Sequence, residues 1–287
     1  MEHRAKITIG LPVYNGEKFL SESLDSLVGQ SFHEIDLLIS DNTSSDTTEA
    51  ICRSHAERDR RIRYVRQPEN LGAVGNFDYV FQHRAAPYFM WAAHDDLWEK
   101  DFIKDGIEAI ERENSCFAFP TFRLVNIKDK KWDYREAKLF EFISHESADH
   151  RVLNYLNLHP FSHNANIIYS IFKEDSLDAL LKKQDISSGI LFGSLLLKIG
   201  KGSIIPRYQF LKRHDGKWPG ASNWMNYFRK RIKKRGHEEF YKAKAADYAV
   251  LMAEVPHLED EIKSIYNAIH PNRTAPGNYR YVDLNRR

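Results

Sequence analysis

Two carboxylates stand side by side at Asp95 and Asp96, at the end of an apolar run in "FMWAAHDDLWEK". Adjacent like charges repel, so such a pair needs open water or a cation between its members. Asp41 occupies a similar place, directly after the apolar stretch "IDLLIS". Each has a plainer reading as well. Asp95 and Asp96 can cap a following helix, because aspartate accepts hydrogen bonds from the free N–H groups of a first turn. Asp41 can close an Asx-turn with Thr43. His94 has metal-ligand chemistry, although a lone histidine beside two aspartates is more often a packing or hydrogen-bonding neighbour.

The surrounding sequence says what must hold these groups. "KITIGLPV" (Lys6–Val13) is apolar and β-branched, and "YNGE" breaks it. Leu20, Leu24, Leu27 and Val28 then recur at helical spacing on one face. "IDLLIS" reads as a second buried strand, and "DNTSSDTTEA" as a loop entering a helix capped by Ser44, Ser45 or Asp46. "IRYVR" is a third strand, a helix is expected over Val74–His83, and "YFMWAA" is a fourth strand. Phe102, Ile103, Ile107 and Ile110 share one side of the next helix. Strand–helix alternation implies a mostly parallel, three-layered α/β sheet. Ligands of such sheets lie beyond the carboxyl ends of strands, where Asp41, Asp95 and Asp96 all stand. Later come one or two strands in "CFAFPTFRLVNI", helices over Glu146–Leu158 and Asp175–Lys183, and a late strand in "GSIIPRYQFLKRH". From Ser222 the chain reads as a helical extension.

At 287 residues, with 42% hydrophobic residues, the chain fits a globular protein with a large core. Lys and Arg number 42 against 40 for Asp and Glu, a difference of +2 that gives no argument for nucleic acid. Cys52 and Cys116 are too few for a disulfide framework, which points to a reducing cytosol. No apolar leader or spanning stretch is expected. The run from Arg229 to Arg235 has six cations in seven residues. It is either a solvated helix face or a patch for an anionic membrane surface, where each cation contributes about 1 kcal/mol.

Four segments in order, "LPVYNGEKFL", "ISDNTSSDTT", "PENLGAVGNF" and "WAAHDDLW", resemble the N-terminal half of family 2 glycosyltransferases. The resemblance implies a GT-A fold, Rossmann-like, with a helical C-terminal extension. It implies inverting transfer of a sugar from a nucleotide-diphosphate donor, a UDP-sugar, to a saccharide or lipid-linked acceptor hydroxyl during surface polysaccharide assembly. Pro12, Tyr14 and Asn15 would then shape the nucleotide floor, and Glu17, opening the next helix, would touch the base or ribose. Asp41 would accept a hydrogen bond from the base, and Asn70 and Gly72 would border the nucleotide. Asp95 would bind Mn²⁺ or Mg²⁺ beside Asp96, with Asp96 holding ribose or a loop. Such hard cations need few protein ligands when phosphates complete the shell. Asp185, before the apolar "ISSGILFGSLL", would be the catalytic base, with a helix cap as the alternative. Arg213 and His214 would lie near the diphosphate, unless His214 is simply solvated.

Two positions depart from the family pattern. Ala93 replaces the first acidic residue, and Asn76, Phe77 and Asp78 stand where Ala-Arg-Asn is frequent. A non-catalytic nucleotide-sugar binder is therefore an alternative, and a nucleotidyltransferase a weaker one. The expected organisation is a transferase domain over 1–220, split into a nucleotide half (1–115) and an acceptor half (116–220), followed by a basic extension over 221–287. The expected location is the cytoplasm, with peripheral contact at the inner membrane face.

Overall fold

The computed structural model describes residues 5–126, 132–134, 137–158, 164–181, 189–214 and 237–269. Asp185 and Arg229–Arg235 lie outside these residues, and His214 is described by its backbone alone. Among the described residues no helix is long and apolar enough to cross a membrane.

The first half alternates as its hydrophobic pattern requires. β1 (Ile7–Val13), β2 (Ile35–Asp41), β3 (Ile62–Arg66) and β4 (Tyr88–Trp91) pair in parallel, in the order β3-β2-β1-β4. Every residue of β1 is buried, as expected of a parallel strand covered on both faces. The connections carry α1 (Leu20–Val28), α2 (Thr48–Arg58) and α3 (Gly72–Gln82). Because β2 and β4 flank β1 from opposite sides, a crevice opens beyond the carboxyl end of β1.

The second half turns the sheet mixed. After β5 (Leu97–Trp98) and α4 (Phe102–Glu113) come β6 (Phe117–Asn126) and the short β7 (Trp132–Tyr134), which pairs with it. α5 (Ala148–Asn157), β8 (Ile171–Lys173), α6 (Glu174–Leu181), α7 (Gly189–Ile199) and β9 (Gly202–His214) follow. The order continues β4-β8-β6-β9-β5, antiparallel except for β6 with β9. The result is a curled α/β sheet flanked by helices. α8 (His237–Glu254) and α9 (Glu259–Ile269) bury Tyr248, Leu251, Ile262 and Ile265 in the same hydrophobic cluster as the sheet.

Trp91, fully buried, joins the two halves. Its ring meets Phe81 and Phe89 on one side and Phe172 and Phe192 on the other, with centroids 4.7–6.1 Å apart. Its indole N–H donates to the Phe77 carbonyl at 3.1 Å. Phe89, Phe117, Phe119 and Phe122 are likewise core, as expected. Cys52 is buried, whereas Cys116 is only half-buried.

Two local expectations change. α4 begins at Phe102 after an N-cap at Asp101, with β5 intervening, so Asp95 and Asp96 do not cap it. The N-cap of α2 is Thr47, whose side chain makes no capping bond; Asp46 Oδ1 instead accepts from the Thr48 N–H at 3.0 Å. "CFAFPTFRLVNI", expected as one or two strands, forms one, β6.

Candidate active site

The floor of the crevice is two loops laced together. Asn15 adopts the left-handed region at φ 52°, which asparagine tolerates. Its N–H donates to Ser44 Oγ at 2.9 Å, and its Oδ1 accepts from the Ser45 N–H at 2.9 Å. The Gly16 N–H donates to Thr48 Oγ1 at 2.8 Å, the Glu17 N–H to Asp46 Oδ2 at 3.1 Å, and Thr47 Oγ1 to Glu17 Oε2 at 3.1 Å. The polar residues of "YNGE" and "NTSSDTT" thus satisfy one another across the ends of β1 and β2. Pro12 lies opposite Ser40 inside the sheet, and Tyr14 projects from the floor with half its surface exposed.

Asp41 ends β2 and is fully buried. Its Oδ1 accepts from the Ser44 N–H at 2.8 Å, and its Oδ2 accepts from Tyr64 Oη and Arg66 Nη1, each at 2.9 Å. The expected turn closes one residue further on than Thr43. The Thr43 N–H instead donates to the Asp41 carbonyl at 2.9 Å, with Thr43 at φ 62°. Arg66 also donates to the Ser44 carbonyl at 2.9 Å and lies 3.2 Å from Glu49. Burial, then the Asp41 contact, pushes the Tyr64 phenol well above its ordinary value. Tyr64 and Arg66 escaped the sequence reading; their alternation in "IRYVR" toward the Asp41 side was the available signal.

Asn42, also missed, anchors the third loop. Its Nδ2 donates to Asn70 Oδ1 at 2.9 Å and to the Gly72 carbonyl at 3.2 Å, while its Oδ1 accepts from the Leu71 N–H at 2.7 Å. Gly72 has φ 73°, a conformation that explains glycine there. Asn76, at the departure from the family pattern, is buried. It accepts from Ser40 Oγ at 2.5 Å and donates to the Ser40 carbonyl at 3.0 Å, binding α3 to the end of β2.

The carboxylate loop completes the crevice. Ser23 Oγ of α1 holds the Ala93 carbonyl at 3.0 Å. His94 packs on Gly16, where an added Cβ would sit 2.9 Å from its ring. The two aspartates diverge. Asp96 is 1% exposed and takes the Arg213 N–H at 3.0 Å and Lys212 Nζ at 3.3 Å. Burial raises its carboxyl to about 6, with Lys212 opposing the shift. Burial pulls the Lys212 ammonium down, but Tyr169 and both aspartates more than reverse this, and the net direction is up. The Tyr169 ring lies 4.5 Å from Nζ. Asp95 is half-buried, and its side-chain oxygens accept no hydrogen bond among the described residues.

Arg213 spans the entrance. It donates to the Asp95 carbonyl at 3.2 Å, pairs with Glu22 of α1, and covers the Phe19 ring at 4.8 Å. The structure therefore brings Asp95, Asp96 and Arg213 together beside the Tyr14–Glu17 floor. Lys212 is a further functional candidate, unmarked in sequence because lysines are common on strand ends.

Among the described residues no three His, Cys, Asp or Glu side chains gather around a cation. The donor set nevertheless fits Mg²⁺ or Mn²⁺ bound with a diphosphate. Asp95, whose side-chain oxygens accept no hydrogen bond among the described residues, follows the carboxyl end of β4, and phosphates would bring the remaining oxygen ligands.

Comparison with known proteins follows the same outline. GlyA of Streptococcus pneumoniae, a glycosyltransferase, is 32% identical over 99 residues, 34% of this chain and 14% of GlyA. TuaG of Bacillus subtilis, named for teichuronic acid biosynthesis, is 25% identical over 119 residues, 42% of this chain and 47% of TuaG. The chain thus spans less than half the length of these relatives. In three dimensions the crystal structure of S. aureus TarS superposes with a TM-score of 0.66 at 16% identity, over 94% of this chain and 44% of TarS. That likeness shows a shared GT-A fold. The sequence model of "Glycosyl transferase family 2" matches residues 8–176, from β1 into α6, and so includes all three loops and the carboxylate pair; the chain belongs to glycosyl transferase family 2.

Proposed function

We propose that this chain transfers a sugar from a nucleoside diphosphate donor to an acceptor hydroxyl, with inversion at the anomeric carbon. The observation that carries the reading is Asp95, a carboxylate without a hydrogen-bond partner among the described residues, at the switch in strand order and beside a neighbour neutralised by Lys212. Tyr14, Asn15 and Glu17 form the floor for base and ribose, with Asn70 and Gly72 at its edge. Asp41 acts on the base side through the loop it holds: its three donors fix Ser44, Tyr64 and Arg66. Contact between a base and the carboxylate itself requires Arg66 to swing away.

Asp95 would hold Mn²⁺ or Mg²⁺, which supplies charge neutralisation to the departing diphosphate. Lys212 and Arg213 stand at the same mouth, each paired with a carboxylate, Asp96 and Glu22, and His214 follows on β9. Asp185 is the proposed base. It takes the acceptor proton as the acceptor oxygen attacks the anomeric carbon, and the electron pair of the broken C–O bond leaves with the diphosphate. A positioned base contributes roughly 10²–10⁴-fold.

Uridine is the favoured nucleoside because a TarS fragment has a crystal structure in complex with UDP-GlcNAc. Surface polysaccharide or glycolipid synthesis is the favoured setting, following the teichuronic acid name of TuaG. We further read 1–115 as the donor half, 116–220 as the acceptor half and 221–287 as an extension. Its Arg229–Arg235 run would dock the enzyme on the inner membrane face, within the cytoplasm. The test is a screen of nucleotide sugars for turnover that needs Mn²⁺ or Mg²⁺ and disappears in Asp95→Ala. Full activity in that variant would refute the role given to Asp95.

Ala93 favours one second reading, a nucleotide-sugar binder without turnover. Calorimetric binding of UDP and Mn²⁺ with no donor consumption in the presence of any acceptor would establish it.

A further inference from the structure

β9 is bent in its middle by two consecutive left-handed residues, Arg207 at φ 70° and Tyr208 at φ 46°. Neither is glycine, and such backbone persists only where its surroundings hold it. The bend lies where β9 slips against β6. Between the pairs Pro120↔Ile205 and Phe122↔Phe210, β6 advances two residues (122 − 120) and β9 five (210 − 205). Side chains of a strand alternate between faces, so the bend decides which way every later residue of β9 points.

Three elements grip it. Asp105 Oδ2, on α4, accepts from Arg207 Nη2 and from Gln209 Nε2, each at 2.5 Å. Thr121 Oγ1 of β6 accepts from the Tyr208 N–H at 2.9 Å. The Gln209 carbonyl accepts from the Glu99 N–H at 2.8 Å. Beyond the bend, Phe210 and Leu211 pair with Trp98 and Leu97, immediately after the two aspartates. Lys212 and Arg213 then reach Asp96, and Arg213 reaches the Asp95 carbonyl.

We propose that Asp105 is a positioning residue of the donor site: its grip on Arg207 and Gln209 sets the phase of β9 that delivers Lys212 and Arg213 to the Asp95–Asp96 loop. The inference rests on the reading of that loop as the diphosphate site. Asp105 touches no substrate, so its loss acts on the placement of two cations.

The experiment is titration calorimetry with UDP and Mn²⁺, together with amide hydrogen exchange, on full-chain wild type, Asp105→Ala, Asp105→Asn, Arg207→Gln and the control Asp36→Ala. Asp36 grips Arg63 and Thr8 elsewhere in the sheet. Asp105→Ala is expected to weaken UDP binding about tenfold or more, the scale on which misplaced site residues act, and to speed exchange over residues 207–213. Asp105→Asn, which keeps an acceptor oxygen, restores part of the affinity. Arg207→Gln, which severs one bond at an exposed side chain, gives the same change on a smaller scale and decides the matter should Asp105→Ala not fold. Asp36→Ala lowers stability with affinity kept. Affinity within twofold of wild type in both Asp105→Ala and Arg207→Gln, or unaltered exchange over 207–213, overturns the proposal. A wild-type protein that binds no UDP with Mn²⁺ instead overturns the donor-site reading, and this inference with it.

Discussion

Lys212 Nζ lies 3.3 Å from Asp96 Oδ2, inside the sheet, so the second member of an acidic pair already has its cation. The ion pair answers the repulsion between Asp95 and Asp96 from within the protein, and among the described residues the Asp95 side chain accepts no hydrogen bond. Removing one partner of a buried pair strands the other charge at a cost of about 3–5 kcal/mol. Asp96→Ala and Lys212→Met are therefore each expected to lower the midpoint of denaturant unfolding strongly. The double variant Asp96→Leu/Lys212→Met should recover most of the loss. Additive losses in the double variant would contradict the pairing.

Asp41 predicts a different pattern. Three donors converge on a carboxylate with no exposed surface. Tyr64→Phe deletes one of them and should cost about 1 kcal/mol, the usual net contribution of a hydrogen bond. Asp41→Ala removes the acceptor of Tyr64 and of the Ser44 N–H and leaves Arg66 only the Ser44 carbonyl and Glu49; it should cost more than Tyr64→Phe, with UDP affinity falling in parallel. Urea melts and calorimetry on the two variants measure both effects.

Gly16 is held small by its neighbours. A Cβ there would stand 2.7 Å from the Val13 side chain and 2.9 Å from the His94 ring. Gly16→Ala should destabilise by about 1–3 kcal/mol through overpacking, and His94→Ala in the same chain should relieve part of it. No relief in the double variant would place the clash with Val13 alone.

His150 gives a pH dependence. Burial, then the stacked His145 ring 4.0 Å away, lowers its pKa from the ordinary 6.5. A group with a depressed folded pKa takes up its proton more readily in the unfolded chain. Its stability contribution is therefore complete above pH 6.5 and declines as pH falls below that value toward the folded pKa. His150→Gln should flatten the melting temperature between pH 7 and pH 5; an unchanged slope would remove the assignment.

How far the sequence carried is clear from particular residues. Ile35–Ser40 and Tyr88–Trp91 were legible as strands because buried parallel strands are uninterrupted apolar runs bounded by turn residues. Asp41 and Asp95 stand out because they follow the ends of those runs, whereas Tyr14–Glu17 and Asn70–Gly72 were marked by the resemblance of their loops to family 2 glycosyltransferases. Tyr64, Arg66, Asn42 and Lys212 were not legible. Each acts on a residue more than twenty positions away, through pairing that strand order alone creates. The mixed pairing of β8, β6, β9 and β5 was hidden for the same reason, because register across a curled sheet leaves no local periodicity. Asp95 and Asp96 look identical in sequence, and only the arrival of β9 makes them unequal.

The lacing of Asn15, Gly16 and Glu17 to Ser44, Thr48 and Asp46 has a thermodynamic corollary. Freezing a mobile side chain on association costs about 0.5–1.5 kcal/mol, and here folding has done that work before any small molecule arrives. On the proposed reading an incoming nucleotide would meet a pre-ordered cradle, so its capture should show little entropic penalty from this part of the molecule.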